Sequence, residues 1–283
     1  MTGYAAATPW AKLRRDPVAI AGGAVTALIA ALAIAAPLLF PGDPLDMAAR
    51  PLTPPLADWA VPLGTDRLGR DLLAGVVHGA RASLAIGAVA ALLAVAIGML
   101  VGALAGFYRG WVDELLMRVV EAFQTVPGFV LALALVAVLG PSSTSSIVAV
   151  AVISWTQTAR VVRAEFLALR ERDFVRACTA LGAGDVTIMV RHILPNALPP
   201  VIALATMTIA VAILVESALA FLGLGDPNLA SWGAMIASGR ALLRTAWYVS
   251  AVPGIAIAVT VLGITLLGEG LTAALNPRQA TRL

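Results

Sequence analysis

The feature that most constrains this chain is a long uncharged stretch near its start. Residues Val18–Phe40 form a run of 23 residues without Asp, Glu, Lys or Arg. A helix of about 20 apolar residues is long enough to cross the hydrocarbon core of a bilayer. Similar runs follow, and 60% of the chain is hydrophobic against 12% charged, whereas soluble domains average roughly 45–50% and about 25%. The sequence therefore predicts an all-α, polytopic membrane protein.

A secretory signal peptide is the alternative explanation of this first run. Basic residues precede it, and Ala33–Ala35 has the small residues of a cleavage site. However, the run is longer than the roughly 7–15 apolar residues of an ordinary signal-peptide core. We therefore interpret it as an uncleaved first membrane helix.

Six spans are predicted along the chain. The third contains Pro127, which we expect to kink it. The fourth is the weakest by hydropathy, because only Ile147–Trp155 is continuously apolar before polar residues begin. The predicted spans cover residues 18–40, 82–107, 115–139, 146–164, 199–222 and 248–274.

The distribution of basic residues supports the fourth span and sets the orientation. Six of the 19 Lys and Arg residues fall between Arg160 and Arg191. With the fourth span in place, 13 basic residues share a side with both termini and six lie on the other side. Basic residues are enriched on the cytoplasmic side, so we predict that both termini are cytoplasmic. The predicted divisions are an arm at 1–17, the first helix at 18–40, an external segment at 41–79, a five-helix transmembrane domain at 80–275 and a tail at 276–283.

Three glycines in the second span lie one helical turn apart. They are Gly98, Gly102 and Gly106. Small residues at this spacing let a neighbouring helix approach closely, which is how helices associate in lipid. The stripe predicts helix packing, either within the bundle or between subunits.

The connection at 165–192, between the fourth and fifth spans, is a polar island in this sequence. Four apolar residues within it have spacings that predict a short amphipathic helix with one apolar face. They are Phe174, Val175, Cys178 and Leu181. Gly182 and Gly184 should end this helix, because glycine adopts the left-handed conformation at little cost.

A second short helix is expected to begin at Asp185, which is a good N-cap residue. Three prolines then mark the start of the fifth span, since proline fits the first turn of a helix but not its interior. These are Pro195, Pro199 and Pro200.

Residue content argues against several chemistries. Lys12, the one lysine, is not part of a Walker A loop, so the sequence contains no such ATP site. The two histidines, His78 and His192, are far apart and predicted on opposite sides, so we expect neither a metal site nor a catalytic pair. Cys178 is the single cysteine, so no intramolecular disulfide can form. We predict that the chain is not an enzyme.

Short motifs spread along the chain match one family in order. They are G-T-D-x-x-G-R-D at Gly64–Asp71, G-A-R-x-S-L at Gly79–Leu84, the loop around Trp111, S-W-x-x-x-A-R at Ser154–Arg160, R-H-I-L-P-N at Arg191–Asn196, E-x-A-L-x-F-L-G-L-G at Glu216–Gly225, S-W-G-x-M at Ser231–Met235 and N-P-R at Asn276–Arg278. Over nearly its whole length the chain resembles the C-type permease subunit of dipeptide, oligopeptide and nickel ABC importers. The resemblance implies the type I ABC importer permease fold in a bacterial inner membrane.

The polar island resembles the "EAA" loop of ABC importer permeases. That loop reads E-A-A, three residues, G, nine residues, I-x-L-P. The corresponding residues are Arg176–Cys178, Gly182 and His192–Pro195; the Ala, Gly and Leu-Pro positions match, whereas the Glu, the second Ala and the Ile do not. The resemblance implies that this helix couples the permease to an ATPase subunit. The coupling residues are then Asp173, Arg176, Ala177, Cys178, Leu181, Gly182, Ala183, Gly184, Leu194 and Pro195.

The resemblance also implies partners and a mechanism. The expected partners are a homologous second permease subunit, two ATPase subunits or domains that bind ATP and Mg, an external substrate-binding protein and membrane lipid, with no nucleic acid. This chain itself should hold no cofactor and no metal. ATP-driven motion would open the path alternately to each side. Charged or polar residues inside spans are expensive and often functional, so Glu216, Gln124 and Glu121 are candidates for the pathway or gate.

The residues leave the substrate open. Di- or oligopeptides are the first hypothesis, and nickel or another small solute carried by the same kind of machine is the second. A self-sufficient secondary transporter is a third, but it predicts paired broken helices in two halves, which the sequence does not show. A membrane-embedded enzyme would need a constellation such as H-E-x-x-H, which two isolated histidines do not supply.

Overall fold

The computed structural model describes residues 13–14 and 16–275, so the predicted tail and most of the predicted arm lie outside the described residues. The described part is helical, with irregular connections. Its helices are α1 (Pro17–Leu39), α2 (Leu72–Tyr108), α3 (Gly110–Gln124), α4 (Gly128–Leu139), α5 (Ser143–Arg170), α6 (Asp173–Ala180), α7 (Asp185–Phe221), α8 (Trp232–Gly239) and α9 (Tyr248–Leu275).

Five of these helices, α1, α2, α5, α7 and α9, are long and apolar enough to cross a membrane. The third predicted span is instead a bent pair, because α3 and α4 meet at an angle of 81°. Pro127 is the N-cap of α4. A proline has no N–H to donate and disfavours helical geometry in the residue before it, so the predicted kink is a full break. Counting the pair as one gives the six predicted spans.

Helix α2 begins earlier than predicted, at Leu72, and the predicted boundary at residue 79 lies inside it. The Asp71 carboxylate accepts a hydrogen bond of 2.8 Å from the Leu73 N–H and so caps the helix. Hydropathy missed these first turns because they contain His78 and Arg81. The preceding Asp66 accepts from the Leu68 N–H at 2.7 Å and closes a turn.

The glycine stripe of α2 packs against α5 within the same chain. A Cβ added to Gly98 would lie 2.6 Å from the Trp155 carbonyl oxygen, and one added to Gly106 would lie 2.6 Å from the Phe166 Cβ. The two backbones are therefore in close contact along three helical turns. This settles the predicted stripe as packing between the second and fourth spans.

Helix α1 packs mainly on α9, again through small residues: a Cβ on Gly22 would lie 2.7 Å from the Gly263 carbonyl oxygen. The short helix α8 closes the end of the bundle at which α2 begins. Its Trp232 side chain is buried and donates a 2.9 Å hydrogen bond to the Val76 carbonyl of α2.

Helix α7 contains all three prolines that the sequence placed at the start of the fifth span. Residues Ile188–Ile193 form a π-helical turn, in which the Leu194 N–H bonds to the Met189 carbonyl, five residues back. This wider turn accommodates Pro195 directly after it, where regular α-helical pairing would be blocked. The helix therefore begins before the prolines, and Asp185 is its first residue, with Gly184 as its cap.

Candidate coupling surface

Helix α6 is a separate short element between α5 and α7. Glu171 ends α5 in a helical conformation, and Arg172 is extended and precedes α6 as its N-cap. Gly182 ends α6 with a φ of 79°, and its N–H bonds to the Thr179 carbonyl at 3.0 Å. The expected glycine stop is therefore present. A positive φ is the left-handed conformation, which favours a residue without Cβ.

One side of α6 is anchored in the protein interior. Val175 is buried in an apolar cluster, and Cys178 packs against the same cluster. The cluster is formed by the end of α2, the last turns of α5 and the first turns of α7, and its buried members include Phe107, Val162, Phe166, Ile188 and Ile193. Burying such side chains stabilises the contact by about 1.5–3 kcal/mol each. Helix α6 is thus attached to three spans at once.

Two apolar residues that lie beside this anchored side are exposed. Leu181 is 87% exposed and Phe174 is 40% exposed. Val186 and Val190 of α7 continue this surface and are more than half exposed. At about 100° per residue the four apolar residues fall within roughly 120° of the helix circumference, so the predicted single apolar face is present. Only its Val175 and Cys178 side packs against this chain. Val175 and Cys178 point inward, because the attachment of α6 to three spans fixes the rotation of the helix.

The predicted coupling residues occupy two layers of this element. Those that are exposed are Asp173, Arg176, Ala177, Leu181, Gly182, Gly184 and Pro195. Those that are half-buried against the apolar cluster are Cys178, Ala183 and Leu194. The structure brings them together in one protrusion at one end of the bundle.

Glu171 links α6 to the turn between α2 and α3. Its carboxylate lies 2.9 Å from the Arg176 guanidinium of α6 and 2.6 Å from the Arg109 guanidinium of that turn. The hydrogen bond from Arg176, and to a smaller extent the one from Arg109, lowers the pKa of the Glu171 carboxyl, because both favour its charged form. The group is solvent-exposed, so it fixes the position of the helix more than it stabilises the fold.

A third ion pair, deeper in the protein, joins α5 to α3. The Arg163 guanidinium of α5 donates two hydrogen bonds to the Asp113 carboxylate of α3, at 2.5 and 2.6 Å. Arg170 donates to the Phe107 carbonyl, and its guanidinium lies 5.1 Å from the centre of the Phe107 ring. Sequence reasoning missed these contacts, since Asp113 and Arg163 are 50 positions apart and only the Trp111 motif pointed to the region.

The predicted pathway residues lie in two different environments. Glu216 is only 2% exposed, and its carboxylate accepts hydrogen bonds of 3.4 Å from the Ser83 and Ser217 hydroxyls. It is therefore enclosed by this chain in the conformation described. Glu121 and Gln124 are exposed near the α3–α4 elbow. Glu121 lies 3.6 Å from Arg118, one helical turn away, and Gln124 accepts a hydrogen bond from Arg160 at 3.3 Å.

Within the described residues, no three His, Cys, Asp or Glu side chains come together in a way that could hold a metal ion. His78 lies near Phe40 and His192 lies in the π-helical turn of α7, so the two histidines are far apart, as the sequence indicated.

Comparison with known proteins assigns this architecture. Residues 98–281 match the family described as binding-protein-dependent transport system inner membrane component. Residues 7–55 match the N-terminal transmembrane domain of oligopeptide transport permease C. The first match begins within α2 and includes the helices that follow it, and the second includes the first membrane helix.

Individual relatives are similar over most of their length. The glutathione transport system permease protein GsiD of Pectobacterium atrosepticum is 38% identical, with 95% of this chain and 90% of that protein covered. The di/tripeptide transport system permease protein DppC of Pseudomonas aeruginosa is 39% identical, with 95% and 91% covered.

Among solved structures, a chain of the MetNI methionine ABC transporter in an inward-facing conformation matches with a TM-score of 0.60 and 22% identity. The match covers 71% of this chain and 96% of that one, so it supports the fold, that of a type I ABC importer permease. The chain belongs to the family of inner membrane permease components of binding-protein-dependent transport systems, and within it to the C-type permeases.

Proposed function

We propose that this chain is the permease subunit of an ATP-driven importer of di- and oligopeptides, coupled to a partner ATPase through α6. The observation that carries the proposal is the exposure of Phe174 and Leu181 beside the buried side of α6, together with the exposure of Val186 and Val190 in the first turns of α7. An exposed apolar patch at the end of a helical protrusion is typical of a protein interface.

The attachment of α6 suits it to transmit motion. Its buried side contacts α2, α5 and α7 through one apolar cluster. Packed interiors resist compression, so a displacement of α6 is passed to the helices behind it. The ion pairs of Glu171 and of Asp113 with Arg163 extend this connection to α3 and hence towards the α3–α4 elbow.

We further propose that the elbow faces the second, homologous permease subunit. Every residue from 121 to 130 is exposed in the single chain, including the large side chains of Phe123 and Phe129. Glu121 and Gln124 lie in the same stretch, so they are placed to line a path between two subunits. Glu216 would reach that path only if the surrounding helices separate.

The remaining components follow from the mechanism. We expect ATP and Mg to bind to the two partner ATPase subunits, with no cofactor and no catalysis in this chain. An external binding protein would deliver substrate to the end closed by α8. This assigns α6 and both termini to the cytoplasm, in agreement with the excess of basic residues on that side.

A peptide substrate is supported by the names of the relatives, which are transport proteins for glutathione and for di/tripeptides. Import of nickel or another small solute by the same machine remains the alternative.

The test uses the complete transporter, co-expressed and reconstituted with its ATPases and binding protein. Leu181→Asp places a charge in the patch without disturbing the buried side of α6. We expect loss of ATPase co-purification and a drop in peptide uptake of at least about tenfold, since a buried unpaired charge costs several kcal/mol. Leu243→Asp, which changes an exposed leucine in the segment between α8 and α9, is the matched control and should leave ATPase binding intact. Normal uptake with Leu181→Asp would contradict the proposed coupling role.

Uptake of labelled dipeptide and of nickel by the same vesicles separates the two substrate hypotheses. If neither is transported by the assembled complex while the ATPase remains bound, coupling stands and the proposed substrate is wrong.

A further inference from the structure

A groove lies between α1 and α2, near the end of the bundle opposite α6. Its volume is about 420 Å³. Small and apolar side chains line most of it, among them Ala33, Ile34 and Pro37 of α1 and Leu84 of α2, and Arg81 of α2 lies at its edge. Arg81 is the one charged residue in the lining.

The depth of Arg81 in the membrane can be inferred from a contact that His78, one turn earlier in α2, makes with the end of α1. The His78 Nε2 atom lies 3.0 Å from the carbonyl oxygen of Phe40, the residue that ends α1. Arg81 is three residues further along α2, about 4.5 Å deeper at the helical rise. Helix α1 has 23 residues and is therefore about 34 Å long, slightly more than a hydrocarbon core of about 30 Å. Arg81 thus lies where the hydrocarbon meets the lipid headgroups.

The charge of Arg81 needs a partner at that depth. Its side chain is exposed, and none of the ion pairs in the described part of the chain involves it. The neighbouring surface of α1 is apolar and exposed, including Ile34 and Leu38. A guanidinium remains charged in proteins, and its planar set of donors matches the oxygens of a phosphate group. A charge in contact with hydrocarbon is costly unless the side chain reaches the headgroup region.

We propose that this groove is a phospholipid-binding site. Arg81 binds the headgroup phosphate, and an acyl chain lies along Ala33, Ile34 and Leu84. Charge complementarity selects this occupant, because the lining carries a positive charge and no negative one, and the leaflet supplies phosphate at this level. The lipid fills the space that α1 and α2 leave open between them.

The test is native mass spectrometry of the complete, co-expressed transporter in mild detergent, titrated with phosphatidylglycerol. We expect Arg81→Gln to weaken binding of the tightest lipid by about fivefold or more, because a charge-assisted hydrogen bond is lost. Lipid binding by Arg81→Lys should be intermediate between that of Arg81→Gln and that of the unchanged protein, since lysine keeps the charge and loses the planar donors. Arg240→Gln changes an exposed arginine just after α8 and should have no effect. Equal binding by Arg81→Gln and the unchanged protein, or equal weakening by Arg240→Gln, would overturn the proposal.

A photo-cross-linking amino acid at Ile34 identifies the occupant directly. We expect a phospholipid adduct. A cross-link to another protein chain would instead assign the groove to a subunit interface and overturn the lipid site. Neither readout requires transport, so failure here is distinguishable from failure of the proposed import function.

Discussion

Helix α6 and the surroundings of Glu216 lie at opposite ends of the bundle and differ in which groups they expose and which they bury. At the end formed by α6, apolar side chains such as Leu181 are exposed, and charges pair with one another near the surface. At the end closed by α8, the carboxylate of Glu216 is buried among serine hydroxyls, and Trp232 is buried too. The first arrangement leaves a surface that needs another protein to cover it. In the second, the buried carboxylate has its hydrogen-bond partners within the chain.

This difference separates two mechanical roles. The α6 end is attached firmly to the spans behind it and open in front, which suits an element that receives motion from outside. The α8 end is held by hydrogen bonds inside the chain, which suits an element that opens only when the helices around it move. The following predictions test this contrast.

The largest effect is expected at the turn that ends α6. Gly182→Pro is incompatible with a φ of 79° and removes the N–H that bonds to Thr179, a local cost of about 3 kcal/mol or more. We expect peptide uptake to fall at least about tenfold while membrane insertion is retained. Gly184→Pro changes a second glycine of the predicted coupling surface and isolates the backbone effect, because Gly184 has a φ of −70°, which proline adopts readily. It should retain more uptake than Gly182→Pro. Similar uptake by the two variants would remove the distinction between an ordered coupling turn and an ordinary loop.

The second-largest effect, on stability, is expected at Glu216, at the end of the bundle closed by α8. Glu216→Leu removes the acceptor of the Ser83 and Ser217 hydroxyls and should lower stability by about 1–3 kcal/mol, the usual cost of unpaired buried polar groups. Glu216→Gln retains an acceptor of the same shape and should cost less. Thermal unfolding of the purified complex measures both. If Glu216→Gln is as destabilising as Glu216→Leu, then hydrogen bonding within the chain does not hold this end closed.

The smallest effect is expected for the ion pair between α3 and α5. Asp113→Asn weakens a partly exposed contact with Arg163, worth about 1 kcal/mol after allowance for solvent. We expect uptake to fall severalfold with ATPase binding unchanged, because the contact lies behind the coupling surface. The exchange of charges in Asp113→Arg with Arg163→Asp should recover part of the activity. Loss of ATPase binding in Asp113→Asn would place this pair in the docking surface instead.

Local patterns in the sequence are sufficient to predict some structural features and not others. The glycine stripe of α2 and the glycine stop at Gly182 depend on residues within a few turns, and the structure agrees with both. The break at Pro127 was expected only as a kink, since the size of a bend depends on what packs on either side. The burial of Val175 and Cys178 but not of Leu181 follows from the attachment to three spans, which periodicity within eight residues does not contain. Contacts such as Asp113 with Arg163 join distant segments and have no local signature.

The π-helical turn at Ile188–Ile193 has a consequence for the geometry of α7. Each α-helical residue advances the chain by about 100° around the axis, and a wider turn holds roughly one residue more than regular winding would. The part of α7 beside the coupling helix is therefore out of phase with the part that crosses the membrane. Adding or removing one residue in this turn would rotate the first residues of α7 against its membrane-crossing part and would displace Ile188 from the apolar cluster that holds α6.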